Sequence, residues 1–188
     1  MFGSRADGFE EWRAEPETLY GSVGAGRLLH LPRQIGLGDG DEMIGHLKYA
    51  QATGAERVML VCDSDGGSFA ASRDLADYIY GSRLRVTTYV KNAACSGAAL
   101  VFAAGHMRLM GVDAKLGTHS IISRDGSRPT SLVGRYFCRW ADYLLKSQMD
   151  KLAGRKLPRR LFVEDMYYID PAMAMRLGLA DDTVEALP

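Results

Sequence analysis

Short apolar runs rich in β-branched residues alternate with helical patterns of about ten residues along most of this chain. Strand patterns cover 27–31, 58–62 and 84–90. Helical patterns cover 41–52 and 70–80, and Asp41 is the predicted N-cap of the first of these two helices. A helix between two strands favours a parallel pair joined by a right-handed crossover. The alternation therefore predicts an α/β fold with a parallel sheet.

Two predicted strand-to-helix turns carry residues suited to chemistry. The first, Asp-Ser-Asp-Gly-Gly-Ser at 63–68, has paired glycines that permit backbone conformations and close approaches forbidden to other residues. The second lies within 89–100 and places Ser96 among alanines and glycines ahead of a helical pattern ending at Gly105. Both turns fall at the carboxyl ends of strands, where open α/β sheets place their sites. An ordinary connecting loop is the alternative for the first turn.

Ser96 is the residue with the clearest chemical potential. The free N–H groups of a helix start carry the positive end of the helix dipole and can hold an oxyanion. One turn could therefore supply a nucleophilic hydroxyl and a donor for the charge that develops on a carbonyl oxygen. The simpler interpretation is a helix N-cap, because serine is a favoured cap. His119, which follows another apolar patch, is alone typical of a structural or exposed histidine, so the three features become informative only together.

The order of these features carries a family resemblance. It runs strand, Ser-x-Gly-Gly-Ser at 64–68, helix, strand, Ala-Cys-Ser-Gly-Ala at 94–98, helix, and Gly-x-His ending at His119. This order resembles the proteolytic subunit of the Clp protease and its ClpP-like relatives, and 168–181 resembles the closing pattern of that family. The resemblance extends from about position 28 to 181. It implies the ClpP/crotonase fold, with repeated β-β-α units and a long helix after the catalytic histidine.

The resemblance implies a serine peptidase that needs no cofactor or metal and acts on peptides or unfolded proteins. Ser96 would be the nucleophile and His119 the general base, and the backbone N–H groups of Gly66 and Gly97 would form the oxyanion hole. The third member of the catalytic triad would be Asp165, which matches the family's aspartate if one residue is inserted, with Asp170 as the alternative.

Three positions depart from the family pattern. The ungapped match to the family's aspartate is Met166, and Asp65 replaces a proline that would rigidify the glycine loop. A carboxylate beside an oxyanion hole would oppose charge build-up there if it pointed inward. Cys95 directly precedes the serine, and this Cys-Ser pair resembles that of a looser branch of ClpP-like proteins. Some of those proteins are exported, and proteolysis is not assumed for them.

These departures keep two other functions open. The first is a catalytically degenerate ClpP-like scaffold or regulatory subunit. The second is an acyl-CoA enzyme of the related crotonase fold, against which the pairing of Ser96 with His119 argues.

A helical pattern over 132–152 carries several large apolar residues at helical spacing. The resemblance suggests the handle helix that interlocks two heptamers in Clp-type rings, so a homo-oligomer is expected, with packing inside the monomer as the alternative. Nearby acids, Asp125 and Asp142, are interpreted as a turn residue and part of a solvated helix face. No phosphate-binding loop is found in the sequence, so an ATP-driven unfoldase would have to be a partner.

Composition sets the remaining expectations. The chain has 188 residues, of which 47% are apolar and 24% charged, as is typical of one globular domain with a sizeable core. With 23 basic and 23 acidic residues the net charge is zero, so charge predicts binding to neither nucleic acid nor an anionic membrane. We expect an N-terminal arm at 1–25 and a ClpP-like α/β domain at 26–188.

The cysteines and the N-terminus indicate the compartment. Cys62, Cys95 and Cys138 have neither metal-ligand nor disulfide-framework spacing and are expected to be reduced thiols, which favours a reducing environment. No stretch is apolar enough to span a bilayer, and the N-terminus lacks an apolar signal core. The cytoplasm is the expected location, and an exported form from which a signal has been removed is the alternative.

Overall fold

A computed structural model describes residues 26–121, 129–163 and 165–185 of the chain. The predicted arm at 1–25 and the predicted turn residue Asp125 lie outside these described residues.

Helices and strands alternate through the described chain. In chain order they are β1 (Gly26–His30), α1 (Asp39–Ala52), β2 (Arg57–Val61), α2 (Phe69–Gly81), β3 (Arg85–Val90), β4 (Ala93–Cys95), α3 (Gly97–Ala103), β5 (Met107–Gly111), β6 (Lys115–Thr118), α4 (Leu132–Leu152), a 3₁₀ helix (Arg159–Phe162), β7 (Tyr167–Ile169), α5 (Pro171–Leu177) and β8 (Asp182–Val184).

The strands form two sheets. The larger is fully parallel, with the order β1-β2-β3-β5-β8. The smaller has the order β4-β6-β7, in which β4 and β6 are parallel and β6 and β7 antiparallel. The predicted α/β fold with a parallel sheet is confirmed, because each parallel crossover in the first half of the chain runs through a helix.

The core lies between the larger sheet and helices α1 to α3. Every residue of α3 is buried, which is why its sequence is continuously apolar rather than amphipathic. Fully buried Leu60, Leu75, Leu100 and Phe102 belong to one cluster, and burying a side chain of this size stabilises the fold by about 1.5–3 kcal/mol. This packing fixes α3, and therefore the turn before it, against the sheet.

Helix α1 begins earlier than its predicted N-cap at Asp41. The structure starts it at Asp39, whose carboxylate accepts the N–H of Gly36 at 2.7 Å, and the N-cap position is Gly38. The sequence signal is degenerate here because three acidic residues share the first turn, and each suits the positive end of the helix dipole.

Helix α4 confirms the long helix predicted after the histidine. Its buried residues are Cys138, Ala141, Leu145 and Met149. Six large apolar residues toward its N-terminal end are instead exposed, with exposed fractions of 48–81%: Leu132, Val133, Tyr136, Phe137, Trp140 and Tyr143. Packing inside the monomer therefore accounts for the buried face of this helix and not for its exposed apolar residues.

Candidate active site

The turn from β4 into α3 holds Ser96 in an unusual backbone conformation. Ser96 has φ 55° and ψ −122°, and among the described residues it is the one non-glycine with positive φ. Such a conformation costs about 1–3 kcal/mol and persists only where the surroundings impose it. The side chain makes no capping hydrogen bond to α3, so the N-cap interpretation does not explain this serine.

Backbone hydrogen bonds impose the turn from two sides. The N–H of Ser96 donates to the carbonyl of Gly117 at 2.7 Å, on β6, and the N–H of Cys95 donates to the carbonyl of Ser64 at 2.9 Å. The N–H of Ser64 in turn donates to the carbonyl of Ala93 at 3.0 Å. The serine turn and the glycine loop are therefore joined strand to strand.

Asp63 secures the chain ahead of this turn. Its carboxylate accepts three successive backbone N–H groups, from Lys91 at 3.1 Å, Asn92 at 2.6 Å and Ala93 at 3.0 Å. Charge-assisted bonds of this kind are stronger than bonds between neutral groups. The sequence analysis missed this role, because Asp63 and its three partners are far apart in the chain.

Two glycines let the loop and the turn touch. A Cβ atom on Gly66, which has φ 85°, would overlap the carbonyl oxygen of Cys95 and lie 2.8 Å from Ser96 Cβ. A Cβ atom on Gly97 would overlap the hydroxyl of buried Ser72 on α2. The close approaches predicted from these glycines are therefore present, and Ser96 lies at the point of contact.

The N–H groups near Ser96 differ in availability. The N–H of Gly66 donates to Ser64 Oγ at 3.2 Å. The N–H of Gly67 makes no hydrogen bond within the described chain, and its nitrogen lies 3.7 Å from the position of a Cβ on Gly97. Sequence reasoning passed over Gly67, although it belongs to the same glycine pair.

His119 directly follows β6, as Ser96 directly follows β4. These strands are parallel, with Cys95 opposite Gly117, so the serine and the histidine leave neighbouring strands at the same edge of the small sheet. His119 Nδ1 lies 2.6 Å from the carbonyl oxygen of Ser120. No hydrogen bond joins His119 to Ser96 Oγ in the described chain, and such bonds often tighten only when substrate is bound.

With this geometry established, comparison with known proteins identifies the family. The family model for Clp protease matches residues 13–120, more than half of the chain. The chain belongs to the Clp protease family. The match contains the glycine loop, Ser96 and His119, so the predicted resemblance is confirmed, and the α/β architecture is consistent with the ClpP/crotonase fold. A search of curated proteins finds no match.

Two aspartates were expected as candidates for the third member of the catalytic triad. Asp165 is exposed, and no hydrogen bond or ion pair involves its carboxylate in the part of the chain that the structure describes. Asp170 caps α5 by accepting the N–H of Met173 at 2.7 Å. It follows Ile169, which pairs with Leu116, so it lies at the end of the β6–β7 ladder away from His119. Neither aspartate is hydrogen-bonded to His119 in the described chain.

Met166 and Asp142 lie closer to the histidine strand. The thioether sulfur of Met166 and the thiol sulfur of Cys95 would each lie 2.8 Å from a Cβ on Gly117. Asp142 is half-buried, and its Oδ1 accepts the N–H of Ile121 at 2.5 Å. The interpretation of Asp142 as a solvated helix face was therefore wrong, because helical periodicity alone could not show that α4 passes beside the residues after His119.

Asp65 forms an ion pair at the surface. Its carboxylate lies 3.1 Å from Arg33 Nε, and both side chains are largely exposed. Burial first, and the charge of Asp65 second, raise the pKa of the Cys95 thiol above its ordinary value, although a hydrogen bond with the backbone of Gly117 partly opposes them. The surroundings of the Cys95 thiol therefore favour its protonated form.

Neither a metal-binding cluster nor a membrane-spanning helix is found among the described residues. No group of three or more histidine, cysteine, aspartate or glutamate side chains there could hold a metal ion. Across the same residues, no helix is both long and apolar enough to cross a membrane.

Proposed function

We propose that this member of the Clp protease family is a serine peptidase with Ser96 as its nucleophile and His119 as its general base. The observation that carries the proposal is the positive φ of Ser96, because strained backbone at a single non-glycine residue is typical of functional positions. The turn also lies at the carboxyl ends of parallel strands and at the N-terminus of a buried helix.

The proposed oxyanion hole consists of the Gly97 N–H and an N–H of the pair Gly66–Gly67. Gly67 has the available donor, whereas Gly66 would have to share its hydrogen with Ser64 Oγ. Donors held rigidly by backbone need no reorganisation as charge develops on the carbonyl oxygen, and losing one typically costs about 10²–10³ in rate.

The proposed reaction is acyl transfer to Ser96. His119 Nε2 accepts the hydroxyl proton as the Ser96 oxygen forms a bond to the carbonyl carbon of a peptide. The C–N bond then breaks, and the leaving amine takes that proton from His119. Water hydrolyses the resulting ester by the same steps in reverse order and restores both side chains.

We extend the proposal to assembly and partners. The exposed large apolar residues of α4 lie together on one helix, whereas those of an ordinary monomer surface are scattered singly. This grouping supports a homo-oligomer that buries them. Unfolded proteins are the proposed substrates, and an ATP-driven unfoldase is the proposed partner that would deliver them.

Light scattering tests the assembly directly. Phe137→Asp is expected to shift the protein to smaller species, because a charge cannot be buried unpaired in an apolar interface. Leu37→Asp, which also replaces an exposed apolar residue but lies outside α4, is the matched control and should leave the mass unchanged. Equal masses for all three proteins would contradict the proposed interface.

A second candidate function is a non-proteolytic scaffold. One observation favours it: no carboxylate in the described chain is bonded to His119. Digestion of a denatured protein, followed by mass spectrometry of new N-termini, separates the two candidates. The peptidase proposal predicts cleavage that Ser96→Ala abolishes and that Ser147→Ala, at an exposed serine of α4, preserves. Absence of cleavage by the assembled protein would favour the scaffold.

A further inference from the structure

The imidazole of His119 is held by a peptide group. A carbonyl oxygen can only accept, so the 2.6 Å contact between Nδ1 and the Ser120 carbonyl requires the proton on Nδ1. Neutral imidazole then has its lone pair on Nε2. This is the tautomer that a general base needs, and in a Ser-His-Asp triad a carboxylate imposes it.

That same peptide group is bonded at its other end to a carboxylate. The Ser120 carbonyl and the Ile121 N–H belong to one peptide unit, and the N–H donates to Asp142 Oδ1 at 2.5 Å. In a trans peptide the C=O and N–H point in opposite directions, so the bonds form a chain from the imidazole through the peptide to Asp142. Hydrogen bonds in such chains polarise and strengthen one another.

The peptide unit is also fixed in place. Ser120 is 1% exposed, and its N–H donates to the carbonyl of Val163 at 2.7 Å. Four residue steps separate Val163 from Tyr167, whereas two separate Ser120 from Thr118, the residue that pairs with Tyr167. Asp165 lies between Val163 and Tyr167 in the sequence and is exposed.

Extending the β6–β7 register by one residue would place a thioether, not an acid, across from the imidazole. In the β6–β7 register Thr118 pairs with Tyr167, and continuing the register by one residue brings Met166 opposite His119. Side chains opposite each other on one face of an antiparallel pair have Cβ atoms about 4.5–5.5 Å apart. A carboxylate at this position would be within reach of the imidazole.

We propose that Asp142 is a positioning residue for His119 and acts through the Ser120–Ile121 peptide group, in place of a carboxylate bonded to the ring. This inference rests on the proposed peptidase function and names a residue of α4 in that site. The negative charge of Asp142 orients the peptide dipole so that its carbonyl end stabilises the imidazolium that forms during acyl transfer.

Kinetics test the role of the charge. Asp142→Asn retains an acceptor for the Ile121 N–H and removes the charge, so kcat for peptide hydrolysis is expected to fall at least about tenfold while KM changes less than about twofold. The control, Asp74→Asn, replaces an exposed carboxylate of α2 and should change neither parameter. Adding Met166→Asp to the Asp142→Asn variant is expected to restore kcat at least in part, because it supplies a direct carboxylate.

A spectroscopic measurement keeps the inference testable apart from activity. Nitrogen-15 NMR of the His119 ring is expected to show the Nδ1-protonated tautomer in the native chain, with an Nδ1–H proton resonance that moves upfield in Asp142→Asn. A ring protonated on Nε2, or a resonance that Asp142→Asn leaves unmoved, would overturn the inference whatever the activity. Correct ring signals without any hydrolysis would instead count against the proposed peptidase alone.

Discussion

The serine turn is held mainly by hydrogen bonds between main-chain groups, whereas the His119 ring is held through one peptide group and the Asp142 carboxylate. Ser96 is held by hydrogen bonds between main-chain groups and by a glycine that admits no Cβ. His119 has a single hydrogen bond in the described chain, to the Ser120 carbonyl, and the peptide that provides it is bonded to Asp142. We therefore expect the serine turn to tolerate few substitutions at its glycines. The position of the His119 ring should instead depend on one carboxylate, that of Asp142.

The largest expected effect is on the serine turn. Gly66→Ala should reduce the reaction of Ser96 with a fluorophosphonate by at least about 10²-fold, because the new Cβ overlaps the Cys95 carbonyl and displaces the oxyanion donors. Gly54→Ala is the matched control: Gly54 has φ 88° against 85° for Gly66, but nothing lies within 4 Å of its Cβ position. Equal reactivity of Ser96 in the two variants would contradict a role for the close contact between Gly66 and the serine turn.

A smaller effect is expected from the anchor of the serine turn. Asp63→Ala removes the acceptor of three N–H groups, so the free energy of unfolding should fall by about 2–3 kcal/mol, and Ser96 reactivity by about tenfold. Chemical denaturation and labelling rates measure the two quantities. Ser82→Ala, which removes the acceptor of the Leu84 N–H just after the C-terminus of α2, should cost about 1 kcal/mol and leave labelling unchanged. A loss of stability in Asp63→Ala without a loss of reactivity would show that the Asp63 hydrogen bonds stabilise the fold but do not position Ser96.

The smallest expected effect concerns the charge beside the turn. Asp65→Asn removes one of the causes that raise the pKa of Cys95, so that pKa should fall and the thiolate fraction at a given pH should rise. Alkylation of Cys95 by iodoacetamide should become about threefold faster at pH 8. Reactivity of Ser96 should stay within about twofold, since the carboxylate faces Arg33 and solvent. A large gain at Ser96 would mean that this charge opposes the oxyanion.

Sequence patterns were sufficient for the parallel α/β arrangement, the bounds of α4, and the placing of Ser96 and the glycine pair at strand ends. They succeeded because hydrophobic periodicity and glycine spacing are local signals. They failed for Asp63 and Asp142, whose partners lie 28 or more and 21 positions away, and no local pattern reports such contacts. Asp165 could not be assigned from sequence for a related reason, since no local pattern reports the long-range bond from the Ser120 N–H to the Val163 carbonyl.

Ser96 is the activated nucleophile of the proposed site, and intact-mass measurement after reaction with a fluorophosphonate tests this most directly. The predicted result is one adduct per chain, mapped to Ser96 by peptide sequencing, absent in Ser96→Ala and slowed at least about 10²-fold in His119→Ala. An adduct that persists in Ser96→Ala, or no adduct on the folded and assembled native chain, would contradict it.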